Sequence, residues 1–428
     1  MSETVLLVGG GGREHAIARA VAADASLYAC ASNRNPGIAS LADGFEQIGE
    51  READAIVDYA EEVDADLAVI GPESALEAGV ADALDNAGVY TFGPRAEEAR
   101  IETDKAFQRR FMDDHDVPGN PDFATFDSAE AAAEYVEAYD GDVAVKPVGL
   151  TGGKGVRVTG DQLTTEAAVD YILDAEWDEW VIEERLVGEE FTVQAFVANG
   201  EVRTTPAIQD HKRAYEGDEG PNTGGMGSYS DTDRTLPFMT DADYEAAVAI
   251  IEAVVDALPE YKGVLYGQFM LGADGPKVVE FNARFGDPEA MNTLPVLSTP
   301  FLDVLTAARD GEPLPELAFT GEATVCKYAV PAGYPVEPDA GARIEVNEDS
   351  VGDALLFYAS VDQREDGLFT TTSRSFAVVG RGDSIAAAEA DAEDALSTVD
   401  EGFHVRHDIG TAALVQSRID HMARLRDE

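Results

Sequence analysis

Only seven of the 30 basic residues in this 428-residue chain are lysine, and two of the seven, Lys146 and Lys154, share one stretch, VAVKPVGLTGGKGVRV. A lysine set in a glycine-rich turn suits a phosphate, because backbone N–H groups in such a turn can point together at an anion. The stretch is not a Walker A loop: Gly149 stands five positions before Lys154, and Gly155 follows where Ser or Thr is needed. The alternation in GVRVTG predicts a strand. The shape is therefore strand, glycine turn, strand: a flap that can fold over a ligand, with Lys146 on the incoming strand beneath it.

Two further stretches could hold a nucleotide. WVIEERLVGEEFTVQAFV spaces Glu183, Leu186 and Glu190 as ExxLxxxE. Backbone in an apolar slot would give adenine one donor and one acceptor, and a carboxylate would take the ribose hydroxyls. An edge strand carrying solvated acids fits the same residues, and the stretch alone leaves both readings open. KVVEFNARFGDPE sets Glu280 and Asn282 two apart on a predicted strand, hence on one face. Two oxygen ligands suit Mg²⁺, which completes its shell with phosphate and water. Arg284 and Asp287 follow directly.

The elements that must position these residues read as α/β and α+β units in a multidomain chain, too long for one core. Residues 1–102 alternate short apolar runs with amphipathic helical segments, the rhythm of an open parallel sheet. In such a sheet the loops beyond the strand ends, Gly9–Glu14, Asn35–Gly37 and Gly71–Glu73, should share one crevice. GGGGREH fails the dinucleotide fingerprint, since no third glycine falls at the required place; a strand, a tight turn and a helix N-terminus remain, which favour an anion. Residues 103–312 hold two α+β blocks, the first, about 120–181, carrying the flap. Residues 313–428 turn to short strands broken by Gly and Pro and end in a helix.

Composition excludes several classes. The 84 acidic residues give a net charge of −54; with so few cations the chain offers no basic face for nucleic acid. Charge of this size self-repels in dilute buffer and is screened at high salt, as expected of a halophilic protein. Cys30 and Cys326 form no CxxC pair, no apolar run is long enough for a membrane span, and the cytoplasm is the expected compartment.

GGREHA, GPE, TDKAF, GGKGV, QDHKR, GPNTGGMG, EFNARFGDPE and PAGYP occur here in the order and spacing of the phosphoribosylamine–glycine ligases of the ATP-grasp superfamily, and the resemblance runs from about Val5 to about Ile409. It implies an N-terminal pre-ATP-grasp domain, a two-subdomain ATP-grasp domain with a lid, and a C-terminal β-rich domain. It further implies ATP with Mg²⁺ or Mn²⁺ as cofactors, glycine and 5-phosphoribosylamine as substrates, and a monomer. On the family pattern Lys105 and Lys146 take the ATP phosphates, Glu183 and Leu186 the adenine, Glu190 the ribose, and Glu280 and Asn282 the metal. Arg284, Asp287 and Lys154 serve the transfer, and Gly152, Gly153, Lys154 and Gly155 form the lid tip. The substrate end falls to Gly11, Gly12, Arg13, Glu14, Asn35, Gly37, Pro72 and Glu73, to Asp210, His211, Lys212 and Arg213, to Asn222, Thr223, Gly224, Gly225, Met226 and Gly227, and to Arg374. The chain departs from the pattern at Gln268, where other ATP-grasp enzymes place an acidic ligand, at Met291, and at Tyr358–Ser360 and Thr372–Phe376. Another ATP-grasp carboxylate–amine ligase or a carboxylase is the alternative.

Overall fold

Thr4–Val8 reads TVLLV, and Val5 to Val8 have no solvent exposure. A run apolar on both faces belongs in a parallel sheet covered on each side. In the computed structural model, which describes residues 3–149, 155–346, 348, 351–397 and 402–427, five parallel strands form it: Thr4–Val8, Ser26–Ala31, Gly44–Gln47, Leu67–Ile70 and Tyr90–Phe92, in the order third, second, first, fourth, fifth. The three loops expected in one crevice do meet. Asn35 Nδ2 donates to Gly10 O at 3.0 Å, and a Cβ on Gly71 would lie 1.9 Å from Glu14 Oε1, so only glycine admits that carboxylate.

The flap belongs to a four-stranded antiparallel sheet, in the order Phe123–Phe126, Trp180–Glu184, Val143–Pro147, Arg157–Val158. Ala144 pairs with Val158 and Val145 with Arg157, the expected hairpin. Ala132, Val136, Val145, Ile172 and Trp180 give this lid a packed core of its own, with the helices Ala129–Ala138 and Thr165–Asp174 capped by Ser128 and Thr164. The turn itself, with Gly152, Gly153 and Lys154, lies outside the described residues. Trp180–Glu184 pairs on both sides, so the edge-strand reading of ExxLxxxE fails, and the sheet extends past residue 181 to Glu184.

A second, larger antiparallel sheet carries the other half of the site. Glu189–Ala198 pairs with Gly263–Gly272, which pairs with Gly275–Asn282, so Gln268 sits opposite both Thr192 and Glu280. The sheet does not stop at residue 312: Ala323–Pro331, Phe376–Gly382 and Leu355–Tyr358 continue it. The C-terminal part ends in the expected helix, Ala412–Asp427, and carries a second one at Ile385–Leu396. The last helix returns to the nucleotide half, where His421 Nδ1 lies 2.6 Å from Glu189 Oε1. Among the described residues, no helix is long and apolar enough to cross a membrane.

Candidate active site

Asp104 caps the helix Lys105–Asp114, accepting from Phe107 N at 2.8 Å, and one helical turn separates Lys105 from Arg109. Lys105 donates to Gly149 O at the root of the flap. Arg109 runs into the interior, where its Nε is 2.7 Å and its Nη2 2.9 Å from the two Glu183 oxygens. Lys146 Nζ reaches the same carboxylate at 2.8 Å and Val279 O at 3.1 Å. Burial alone would raise the Glu183 carboxyl, but Arg109 and Lys146 hold it below the usual range. Burial lowers Lys146, opposed by Glu183. The Glu183 side chain is thus consumed in positioning Lys146, and its backbone lies in the ladder between Phe123 and Ala144. Leu186 lies just past the end of the same strand and is half-buried.

Glu280 is where the charges meet. Burial pushes its carboxyl up, yet Lys212, Lys146, Lys105 and Arg284 together bring it down to about 2. Lys212 Nζ is 3.6 Å from Glu280 Oε1 and donates to Gln268 Oε1 at 2.5 Å, and Gln268 Nε2 donates to Glu190 Oε2 at 2.6 Å. Gln268 therefore bridges the expected ribose carboxylate and Lys212, and its oxygen is already used. Asn282 shares the Glu280 face and takes only a 3.3 Å bond from Arg284 Nη2 at its Oδ1. Among the described residues no three His, Cys, Asp or Glu side chains converge as a metal cage, so an ion at Glu280 and Asn282 would draw the rest of its shell from phosphate and water, as Mg²⁺ commonly does.

Arg284 is less free than its expected role implied. Its Nη2 is 2.8 Å from Glu102 Oε1 and its Nε 3.3 Å from Glu73 Oε2, which ties the end of the strand Gly275–Asn282 to the N-terminal domain. Arg13 is likewise held, by Glu14 Oε1 at 2.7 Å and Phe285 O at 3.1 Å. The helix N-terminus after Gly11 is partly filled from within: Glu14 Oε2 accepts from Gly11 N at 2.7 Å, and Asp287 accepts from Arg13 N. Asp287 also receives Tyr328 OH at 2.5 Å and lies 3.3 Å from Arg374 Nη2. Arg374 donates through Nη1 to Gly224 O, Gly225 O and Asp287 O at 2.8, 3.1 and 3.0 Å, clasping the GPNTGGMG and GDPE loops from the C-terminal part. Asn35 spends its side chain on Gly10, Gly37, Tyr358 and Ala359, a loop clamp rather than a ligand group. Gly37 packs under His15, Gly12 under Tyr328, and Pro72 against Gly9.

The acceptor loops divide by face. Asp210 and Lys212 look toward Glu280 and Glu190, whereas His211 is buried among Asp218, Arg406 and Arg418, where burial drives its pKa down to about 3. Met226 is wholly buried in the main core. These two residues stand behind the site. Arg213 reaches across to the lid, with Nη2 2.5 Å from Asp161 Oδ2, and pairs in register with Asn222. Thr223 Oγ1 donates to Lys212 O at 2.8 Å. Gly225, at φ +111°, could carry no side chain, since a Cβ would meet Asp210 Oδ1 at 2.8 Å; Gly227 likewise abuts Cys326 O. Gly155, at the described end of the flap, accepts from Tyr171 OH.

Four contributors escaped sequence reasoning. Arg109 was visible in principle as the i+4 neighbour of Lys105; Glu289 lies inside the quoted GDPE; Glu102 and Tyr328 carry no local signal. Comparison with known proteins identifies the family. The profile of the phosphoribosylglycinamide synthetase N domain matches residues 3–102, that of its ATP-grasp (A) domain residues 103–290, and that of its C domain residues 324–412. The chain is 52% identical over 433 residues to phosphoribosylamine–glycine ligase of Methanococcoides burtonii and 51% identical over 434 residues to that of Methanosarcina barkeri, covering 99% of each chain in both cases. The crystal structure of phosphoribosylamine–glycine ligase from Thermotoga maritima superposes with a TM-score of 0.80 at 26% identity, over 95% of this chain and 99% of that one. With three successive domain matches and half-identical relatives along its whole length, the chain belongs to the phosphoribosylglycinamide synthetase family.

Proposed function

We propose that this chain joins glycine to 5-phosphoribosylamine at the expense of ATP, through a glycyl phosphate. A carboxylate is a poor electrophile. Its oxygen first attacks the γ-phosphorus of ATP and releases ADP; the amine of phosphoribosylamine then forms the C–N bond, the C–O bond to phosphate breaks, and the nitrogen gives up a proton. The observation that carries this reading is the convergence of Lys105, Lys146, Lys212 and Arg284 on Glu280. Phosphoryl transfer is chiefly positioning and charge neutralisation, and that cluster supplies both.

In this reading Lys105 and Lys146 hold the phosphates, Leu186 the adenine edge, and Glu190 the ribose, with Gln268 fixing Glu190. Glu280 and Asn282 hold a divalent ion, Mg²⁺ or Mn²⁺, which when bound neutralises phosphate charge. The flap with Lys154 excludes water from the acyl phosphate. The phosphoribosyl group lies toward Arg13, Glu73 and the Gly224–Gly227 loop. Division at 102/103 and 312/313, a monomer, a cytoplasmic location and adaptation to salt belong to the same reading. The test is ADP release with each substrate withheld in turn: ADP should accumulate only when glycine and phosphoribosylamine are both present. Turnover with bicarbonate in place of glycine would favour the carboxylase alternative.

A further inference from the structure

Arg284 stands between the Glu280 face and the N-terminal crevice, and it has contacts on both sides. Toward the first, its Nη2 lies 3.3 Å from Asn282 Oδ1 and its charge helps to bring Glu280 down. Toward the second it meets Glu102 and Glu73, and the two acids hold it differently. Glu102, with a side chain 4% exposed, is fixed: Oε1 lies 2.8 Å from Arg284 Nη2, and Oε2 accepts from Ala283 N at 2.7 Å. Glu73 is 35% exposed and opens the short helix Glu73–Glu77, with Oε2 3.3 Å from Arg284 Nε. That contact is a charge pair without a hydrogen bond, since Arg284 Nε is buried with no hydrogen-bond partner among the described residues. Burial raises the Glu73 carboxyl, but Arg284 and then Arg13 outweigh it and hold it below the usual range. The two arginines also share an acceptor: Nη1 of each donates to Phe285 O at 3.1 Å. Whatever draws on Glu73 or Arg13 in the crevice therefore acts on Arg284.

We infer that Glu73 couples the two half-reactions. With the crevice empty, its carboxylate holds the Arg284 guanidinium back from the γ-phosphoryl group; a ribose hydroxyl donated to Glu73, with a phosphate drawn to Arg13, releases it. The inference rests on the proposed joining of glycine to phosphoribosylamine and adds how the first step waits for the second substrate. Waiting has a chemical reason. Glycyl phosphate formed beside an empty crevice meets only water, which adds to the acyl carbon; the C–O bond to phosphate breaks, and glycine and phosphate are returned with one ATP consumed. Glu73 acts through Arg284 and is a positioning residue.

The test uses the whole enzyme, the near-isosteric variant Glu73→Gln, and ribose 5-phosphate, which has hydroxyls and a phosphate but no amine to accept the acyl group. In the parent, ADP release with ATP, Mg²⁺ and glycine should be slight, and should rise about tenfold when ribose 5-phosphate is added, the scale of one charge-assisted contact. Glu73→Gln should release ADP at the raised rate with glycine alone, should ignore ribose 5-phosphate, and should form less than one amide per ADP. A merely loosened fold would lower turnover without freeing ADP release from the acceptor. A Glu73→Gln that keeps ATP affinity but releases no more ADP than the parent without acceptor overturns the inference. So does ribose 5-phosphate that competes with phosphoribosylamine yet leaves ADP release flat. A parent that makes the amide but releases ADP freely with glycine alone refutes the coupling and spares the joining of glycine to the amine; a parent that makes no amide with all three substrates defeats the functional reading first, and this inference with it.

Discussion

Replacing Glu183 should harm the protein far more than replacing the lysine it holds. Glu183, Arg109 and Lys146 have side chains 3%, 1% and 8% exposed, and one carboxylate serves both cations. Glu183→Gln leaves two buried cations without a counter-charge, and breaking such a pair costs about 3–5 kcal/mol. Lys146→Met leaves Glu183 with both Arg109 bonds, at 2.7 and 2.9 Å. It forfeits the bonds to Glu183 and to Val279 O, a carbonyl that keeps Arg109 Nη2 at 2.7 Å, and it relieves the burial of an ammonium, so the net loss should stay at about 1 kcal/mol. Urea unfolding followed by circular dichroism separates the two, and ADP formation is measured in the same preparations. The expected pattern is a well-folded, inactive Lys146→Met beside a clearly destabilised Glu183→Gln. Equal destabilisation, or a Lys146→Met that still turns over, would refute the division of labour drawn for the triad.

Glu280→Gln replaces an ionised ligand by a neutral amide and should raise the Mg²⁺ needed for half-maximal activity; a metal titration that overlays the parent's would remove Glu280 from the metal site. Glu102, pushed by burial from the ordinary 4.5 up to about 7 despite Arg284, stabilises the fold fully below pH 4.5, and that contribution is lost as pH rises through 7. Glu102→Gln should flatten the decline of stability across that window, and an unchanged pH profile of unfolding would count against it. At a net charge of −54, activity and ellipticity should both fall as salt drops from 1 M to 0.01 M, over which the Debye length grows from about 3 to about 30 Å. ATP with Mg²⁺ should partly restore the fold, by about 2.7 kcal/mol at a hundredfold excess over Kd. Full activity in dilute buffer would end the salt reading.

The parts legible in the sequence were those written in local pattern. The parallel sheet follows from apolar runs such as TVLLV, the hairpin from the alternation around Gly149 and Gly155, and the shared face of Glu280 and Asn282 from their spacing of two. What stayed hidden depends on pairing between distant segments. ExxLxxxE could not reveal that Trp180–Glu184 runs between two partner strands, which buries Glu183 and hands it to Arg109. The continuation of the large sheet through Ala323–Pro331 was equally invisible, because one strand does not announce which sheet it joins. Asp210 and His211 are neighbours in QDHKR, and only the strand's two faces separate an acid aimed at the site from an imidazole behind it.

The central claim is that glycine's own carboxylate oxygen takes the γ-phosphoryl group, and isotope transfer tests it most directly. With ¹⁸O in the glycine carboxylate, the inorganic phosphate released at the end of one turnover should carry one glycine-derived oxygen, since the C–O bond broken by the amine leaves that oxygen on phosphorus. Phosphate free of the label, with the amide formed at the usual rate, would contradict the glycyl phosphate and the mechanism built on it.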